Sequence, residues 1–431
     1  MSDAPAPKPS LLAMPPTLGR YEVRAKIGEG GMAAVYVGYE PRAGQPGRAV
    51  ALKVVKDEYA QNRQFVDMFI DEGRIAAKLS HPNVVRILEL GSEDGRLFIV
   101  MELLKGQSLL DVWDAARERG RRIPYDLAAW VGARIAEGLH HAHDYRNEAG
   151  EPLGIVHRDV TPNNVFVTYD GDIKIIDFGL AKGRGRVTKT AAGVVKGKLA
   201  YLSPEAATGT ELDRRADIFA LGTTLWEVTT DRRLFKHDSD GATIQATREA
   251  VVPDPGTIVP GYPVGLWHVL KKALARERDA RHATAQELAR ELDAFASGQG
   301  RPVDAGVLTA FMTELFPRDR ERQDEWLQTA SGPLSHVPLV QLKVPSQRSA
   351  HLPVPVSALP PVLMPAAAPV RAPTSPGRSR MEATLPSGAI PEATAAVPVV
   401  AQPSPSRGRL AAFVLLGFAV ALAIAFIVTR F

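Results

Sequence analysis

Two short runs hold the residues best suited to do chemistry. IVHRDVTPNNVFV begins at Ile155, and IKIIDFG begins at Ile173. Asp159 and Asn164 stand five apart in the first run, and Asp177 follows thirteen residues later. Asn164 and Asp177 offer hard oxygen ligands of the kind Mg²⁺ takes alongside phosphate and water. Asp159 is suited to accept a hydroxyl proton or to orient a nucleophile. A third run, GEGGMAAVYVG, starts at Gly28 and places Gly28, Gly30 and Gly31 around Glu29, with Val35 opening the next strand. Glycine lets a backbone approach phosphate oxygens and aim N–H groups at them. Taken alone, this run reads better as an ordinary hairpin turn. Lys53 closes VALK, two residues after Ala51. On a strand the two share a face, which suits a lysine for phosphates beside a slot for a flat base. Taken alone, Lys53 reads as a solvated edge charge. Glu72 is the carboxylate that could fix such a lysine, although Asp67 and Asp71 are acidic neighbours.

These residues need strands and helices to hold them. Short β-rich runs come first, at Tyr21–Ile27, Ala34–Tyr39, Val50–Val55, Val84–Leu90 and Leu97–Glu102. A helical run at Phe65–Leu79 carries Glu72. From Tyr125 to His143, Leu127, Trp130, Val131, Ile135 and Leu139 recur at helical spacing. A dinucleotide-binding fold would open a helix directly after its glycines, whereas a strand follows Gly31 here. Strands first and helices later predict an α+β chain with a β-rich N-lobe and a helical C-lobe.

Seven motifs then stand in one order: the glycine loop, VALK, the helix glutamate, HPN at His81–Asn83, HRD with its asparagine, DFG, and Ser203-Pro204-Glu205. In that order they resemble a protein kinase, closest to bacterial eukaryotic-like (Hanks-type) serine/threonine kinases and in particular myxobacterial ones. The resemblance covers about residues 21–296 and implies a bilobal kinase fold. It implies ATP and Mg²⁺ as cofactors, with Gly28, Glu29, Gly30, Gly31, Val35, Ala51, Lys53 and Glu72 around the nucleotide. It places Met101 as gatekeeper, Glu102 to Leu104 as the hinge and Phe166 on the adenine floor. Asp159 is the implied catalytic carboxylate, with Asn164 and Asp177 on the metal. Glu205 and Arg281 should pair within the C-lobe, and Asp217 should brace the catalytic loop. Arg158 implies control by activation-loop phosphorylation, with Thr188 or Thr190 as the acceptor.

One departure from the family pattern bears on catalysis. Thr161 stands two residues after Asp159, where most serine/threonine kinases carry lysine. Lys198 stands in GKLAYLSPE, where threonine is usual. The paired change suggests that Lys198 returns its ammonium to the site Thr161 vacates, making it a fourth catalytic residue with Lys53, Asp159 and Asn164. The expected activity is transfer of the ATP γ-phosphoryl to protein serine and threonine hydroxyls. The alternative is a nucleotide-binding pseudokinase scaffold. Tyrosine specificity is disfavoured, because the catalytic loop lacks the arginine typical of that class.

Composition sets the remaining bounds. Of 431 residues, 45% are hydrophobic and 23% charged, which is ordinary for a globular chain. A net charge of +4 argues against a nucleic-acid coat. With no cysteine, disulfide frameworks, thiolate metal sites and cysteine nucleophiles are excluded. Residues 1–20 read as a disordered tail, 21–298 as the kinase domain, and 299–330 as a helical extension that docks on the C-lobe. Residues 331–409 hold sixteen of the 34 prolines and no aromatic residue, which predicts a disordered linker. Leu410–Val428 has nineteen residues without a charge, long enough for one transmembrane helix. Together these predict a single-pass inner-membrane protein with a cytoplasmic kinase domain. Gly417, Ala421 and Ala425 give the span a small-residue face that would permit a homodimer.

Overall fold

The computed structural model describes residues 16–42, 45–178 and 198–330. The linker, the apolar run 410–428 and the threonines 188 and 190 lie outside these residues. Among the described residues, no helix is long and apolar enough to cross a membrane.

The N-lobe is an antiparallel sheet of β1 (Thr17–Leu18), β2 (Tyr21–Glu29), β3 (Ala33–Arg42), β4 (Gln45–Val55), β5 (Ile87–Glu93) and β6 (Arg96–Glu102). Its order is β1-β2-β3-β4-β6-β5. β4 fixes the register. Val50, Leu52 and Val54 are buried on one face with Leu18, Tyr21, Phe98 and Val100. The two-residue period therefore turns Ala51, Lys53 and Val55 to the other face. A slip of one residue would drive Lys53 into the apolar layer, so the buried face itself holds the lysine in place.

Two sequence expectations are corrected here. The N-terminal tail does not run to residue 20. Thr17 pairs with Glu22 and Leu18 with Tyr21, and Leu18 is fully buried. One apolar side chain and a left-handed turn at Gly19 are enough to add this short strand. Nor is 84–90 a strand throughout. Val85 N–H instead bonds to the carbonyl of Ile175, and Ile175 N–H to that of Asn83, each at 2.9 Å. The HPN turn thus ties the lobe connection to the strand that precedes Asp177, and regular pairing resumes only at Ile87.

A short helix α1 (Asp57–Ala60) leads into α2 (Arg63–Ala76), which the Asn62 side chain caps by accepting from Phe65 N–H at 3.1 Å. Phe65 and Phe69 pack α2 against Val55 and Ile99. The C-lobe begins with β7 (Gly106–Ser108), α3 (Leu109–Glu118) and α4 (Tyr125–His143), the last with the bounds its apolar spacing predicts. β8 (Val165–Thr168) and β9 (Ile173–Ile175) join β7 in a small antiparallel sheet. The helices α5 (Pro204–Thr208), α6 (Arg215–Thr230), α7 (Asp240–Glu249), α8 (Val264–Ala273) and α9 (Ala285–Ser297) complete the lobe. α10 (Ala305–Leu315) and α11 (Asp319–Ala330) follow, and α10 buries Leu308, Phe311, Met312 and Leu315 in the C-lobe core.

Fifteen of the sixteen residues of α6 are buried, so this helix forms the centre of the lobe. Buried charge requires a partner. Arg281 donates to both oxygens of Glu205, at 2.7 and 2.8 Å, and to the carbonyls of Ala275, Arg215 and Arg276. Its guanidinium also lies 4.9 Å from the Phe219 ring centroid on α6. Burial pushes the Glu205 carboxyl up, but Arg281 pulls it below its ordinary value. Arg281→Ala should destabilise the folded state by about 3–5 kcal/mol, because it strands a buried carboxylate. Urea unfolding at neutral pH measures this, and a loss below about 1 kcal/mol would contradict it.

Candidate active site

Lys53, Asp159, Asn164, Asp177 and Lys198 form one cluster at the junction of the lobes. Lys53 lies on β4 between its cross-strand partners Val35 and Ile99, and its Nζ reaches Asp177 Oδ1 at 3.0 Å. Glu72 lies on α2, but its side chain is outside the described residues. Asp159 is buried. Its Oδ2 accepts from Asn164 Nδ2 at 2.8 Å and also from Lys198 Nζ. Asn164 Nδ2 bonds the Asp159 carbonyl as well, at 2.8 Å. Both contacts use the amide nitrogen, which leaves Asn164 Oδ1 as an acceptor. Lys198 opens a 3₁₀ turn at Lys198–Tyr201 and remains one-third exposed. The Thr161 hydroxyl is buried and has no hydrogen-bond partner among the described residues.

Charge is balanced within this cluster. The Asp177 side chain is about half exposed; its partial desolvation pushes the carboxyl up, and the Asp159 charge adds to that. Lys53 beside it and the more distant Lys198 pull it down by more, so Asp177 stays below its ordinary value and remains ionised. An ionised Asp177 and the Asn164 carbonyl suit a hard divalent cation such as Mg²⁺.

The catalytic loop is held from beneath. Asp217 on α6 is fully buried and accepts His157 N–H at 2.7 Å, Arg158 N–H at 2.8 Å and His143 Nε2 at 2.7 Å. These bonds hold Arg158 at φ +64°, a conformation that costs a residue bearing a Cβ about 1 kcal/mol or more. The Arg158 Nε is buried and unpartnered among the described residues. His157, which the sequence reading passed over, joins the two chemical runs. Its Nε2 meets the Ile176 carbonyl at 3.2 Å, its Nδ1 accepts Asp159 N–H at 3.2 Å, and its ring packs on Phe178 at 4.6 Å. That pattern requires the neutral tautomer with the proton on Nε2. Asn83, from HPN, donates to the Ile173 carbonyl at 3.0 Å. Buried polar residues inside HPN and HRD were the available sequence signal for both.

The nucleotide-facing residues line the same cleft. Ala51 sits opposite Met101, and both pack with Val85 among Val35, Ile87, Leu103, Leu104 and Ile176. The Glu102 side chain is pinned by Arg86 N–H at 2.8 Å and Lys174 Nζ at 3.0 Å, so only its backbone can face a base. Phe166 is half-buried on β8. Gly28 pairs with Val35, Gly30 N–H bonds the Ala33 carbonyl at 2.8 Å, and Gly31 lies in the turn. Glu29 is latched by Lys26 and Lys56, which bring its carboxyl down to about 2. Its carboxylate is therefore committed to those lysines, and only its backbone can serve a phosphate.

Comparison with known proteins agrees with this geometry. The protein kinase domain family matches residues 21–290. The chain is a protein kinase. It is 39% identical over 316 residues to the tyrosine-protein kinase MasK of Myxococcus xanthus, covering 73% of this chain and 49% of that protein. It is 34% identical over 283 residues to the serine/threonine-protein kinase PknL of Mycobacterium tuberculosis, covering 66% and 67%. The crystal structure of the M. tuberculosis PknI kinase domain superposes with a TM-score of 0.50 at 26% identity, covering 65% of this chain and 97% of that domain. The kinase thus spans half or less of several of its relatives, including 39% of the serine/threonine-protein kinase PrkC of Bacillus subtilis. It has a bilobal fold of the bacterial Hanks type, a family that generally uses ATP and Mg²⁺.

Burial lowers the His157 imidazole below its ordinary value near 6.5, with Asp217 and Asp159 only partly offsetting it. The unfolded chain therefore binds a proton below pH 6.5 that the folded kinase refuses. Stability should fall as pH drops from about 7 toward 5, by up to about 1.4 kcal/mol per pH unit from this group. Asp177, Asp217 and Glu205 are depressed carboxylates whose contribution is lost only below about pH 4. Urea midpoints at pH 7.5 and 5.5 test this, and equal midpoints would contradict it.

Proposed function

We propose that this kinase transfers the γ-phosphoryl of ATP to serine and threonine hydroxyls of proteins. The observation that carries this reading is Asp159, which is held on one side by Asn164 and on the other by Lys198, with Asp177 and Lys53 beside it. The acceptor oxygen bonds to the γ-phosphorus, the bond to the β–γ bridging oxygen breaks, and ADP leaves. Asp159 orients the hydroxyl and takes its proton. Lys53 positions the nucleotide phosphates. Asn164 and Asp177 would hold Mg²⁺, which when bound neutralises phosphate charge. Lys198 offers its ammonium to the transferred group, a role favoured by its contact with Asp159 and its one-third exposure. Serine/threonine specificity follows the relatives named for it and the catalytic loop without the tyrosine-class arginine.

Regulation and location complete the proposal. Thr188 or Thr190 carries an autophosphorylation that pairs with Arg158, whose buried Nε supports that assignment. The run 410–428 anchors the chain in the inner membrane, with the kinase domain in the cytoplasm where ATP is found. The Gly417, Ala421, Ala425 face supports a homodimer.

The test is phosphate transfer by the full chain with Mg²⁺-ATP and a general protein substrate, with acceptor residues mapped by mass spectrometry. Phosphoserine and phosphothreonine are expected. Asp159→Asn should lose at least about 100-fold in kcat while still binding ATP. Lys198→Ala should lose about 10- to 100-fold, on the scale of one electrostatic stabiliser. ATP binding without transfer in the parent chain would leave the scaffold alternative, and phosphotyrosine alone would overturn the specificity.

A further inference from the structure

α11 lies outside the chemistry, yet two of its side chains reach the segment that follows the hinge and a third reaches the turn after β8. Arg320, Gln323 and Asp324 stand at i, i+3 and i+4, the spacing that puts side chains on one face of a helix. Asp324 Oδ1 pairs with Lys105 Nζ at 2.8 Å, one residue beyond Leu104. Gln323 Nε2 donates to the Gly106 carbonyl at 3.3 Å. Arg320 pairs with Asp170 at 2.7 Å, and its other nitrogen approaches the Tyr169 carbonyl at 3.5 Å.

Tyr169 is where these contacts converge. Its ring is buried and lies 6.5 Å from Phe316, which closes α10. Its N–H bonds the Lys105 carbonyl at 3.0 Å. Its hydroxyl accepts Gln107 Nε2 at 2.7 Å, with Gln323 Nε2 at 3.5 Å. The fit beneath is tight. A Cβ on Gly106 would sit 2.1 Å from the Val167 carbonyl oxygen. At Gly171, with φ +86°, a Cβ would sit 2.4 Å from the Ala305 carbonyl oxygen at the start of α10. The sheet clamped in this way is β7-β8-β9; β8 carries Phe166, and β8 and β9 lie between Asn164 and Asp177 in the chain.

We propose that α11 is a strap that positions the hinge and the β8 adenine floor through Arg320, Gln323 and Asp324, and so sets nucleotide affinity. The three side chains act as positioning residues. They touch neither ATP nor the reacting atoms, and they work through Lys105, Gly106, Tyr169 and Asp170. The inference rests on the kinase reading above, because it assigns the cleft to ATP.

The experiment is calorimetric titration of the full chain with Mg²⁺-ATP, together with steady-state kinetics. The triple variant Arg320→Ala, Gln323→Ala, Asp324→Ala should weaken ATP binding and raise KM for ATP about 3- to 10-fold, in keeping with partly exposed contacts. Its kcat at saturating ATP should stay within about two-fold of the parent. Arg322→Ala, an exposed change on the same helix, should leave both unchanged. Should the triple variant lose thermal stability, Lys105→Ala and Asp324→Ala, made singly and together, keep the question open to test. Non-additive losses in ATP affinity support the strap, and additive or absent losses overturn it. Unchanged ATP affinity in the triple variant would also overturn it. A parent chain that binds ATP without transferring phosphate contradicts the kinase reading alone and leaves the strap to be judged by binding.

Discussion

The site depends on keeping two carboxylates ionised together, one of them, Asp159, buried and the other, Asp177, half-exposed. Asp159 and Asp177 are near enough that the charge on one makes the other harder to hold. Lys53 on Asp177 and Lys198 on Asp159 offset that repulsion. Each lysine arrives from a different element: Lys53 from a strand of the N-lobe, and Lys198 from the turn that precedes α5. The site is therefore complete only when three separately folded pieces meet.

The rest of the molecule reads as the means of making them meet. The two faces of β4 fix where Lys53 can point. Asp217, buried in the most enclosed helix, takes two successive backbone N–H groups and bends Arg158 into its left-handed conformation. Asp159 then follows in a fixed direction. Neutral His157 ties that loop to the strand end that bears Asp177. Asn83 and Val85 bind the lobe connection to the same strand. Arg281, over Phe219 and on Glu205, holds the element that follows Lys198 against α6.

Local signals were legible in the sequence because their physics is local. The apolar spacing of α4 gave its bounds, and alternation in β4 gave the face of Lys53. The motif order gave Asp159, Asn164, Asp177, Glu205, Asp217 and Arg281, although only the structure brings them together. What the sequence hid depends on partners far along the chain. His143 reaches Asp217 across 74 residues, and Lys105 reaches Asp324 across 219. Neither side of such a pair carries a mark of the other. Thr17–Leu18 was absorbed into the tail because a two-residue strand has no periodicity to read. Residues 84–86 look like a strand by composition, but Val84 N–H turns back to His81, Val85 N–H goes to β9 and Arg86 pairs with Glu102.

The exchange of Thr161 and Lys198 tests the charge balance most directly. The enzymes K198T, T161K and the double exchange T161K/K198T would be compared in kcat at saturating Mg²⁺-ATP. If the ammonium on Asp159 is what matters, K198T falls about 10- to 100-fold, and the double exchange recovers most of that loss by supplying the charge from the loop itself. A K198T enzyme as fast as the parent, or a double exchange no faster than K198T, would contradict the central role given to Lys198.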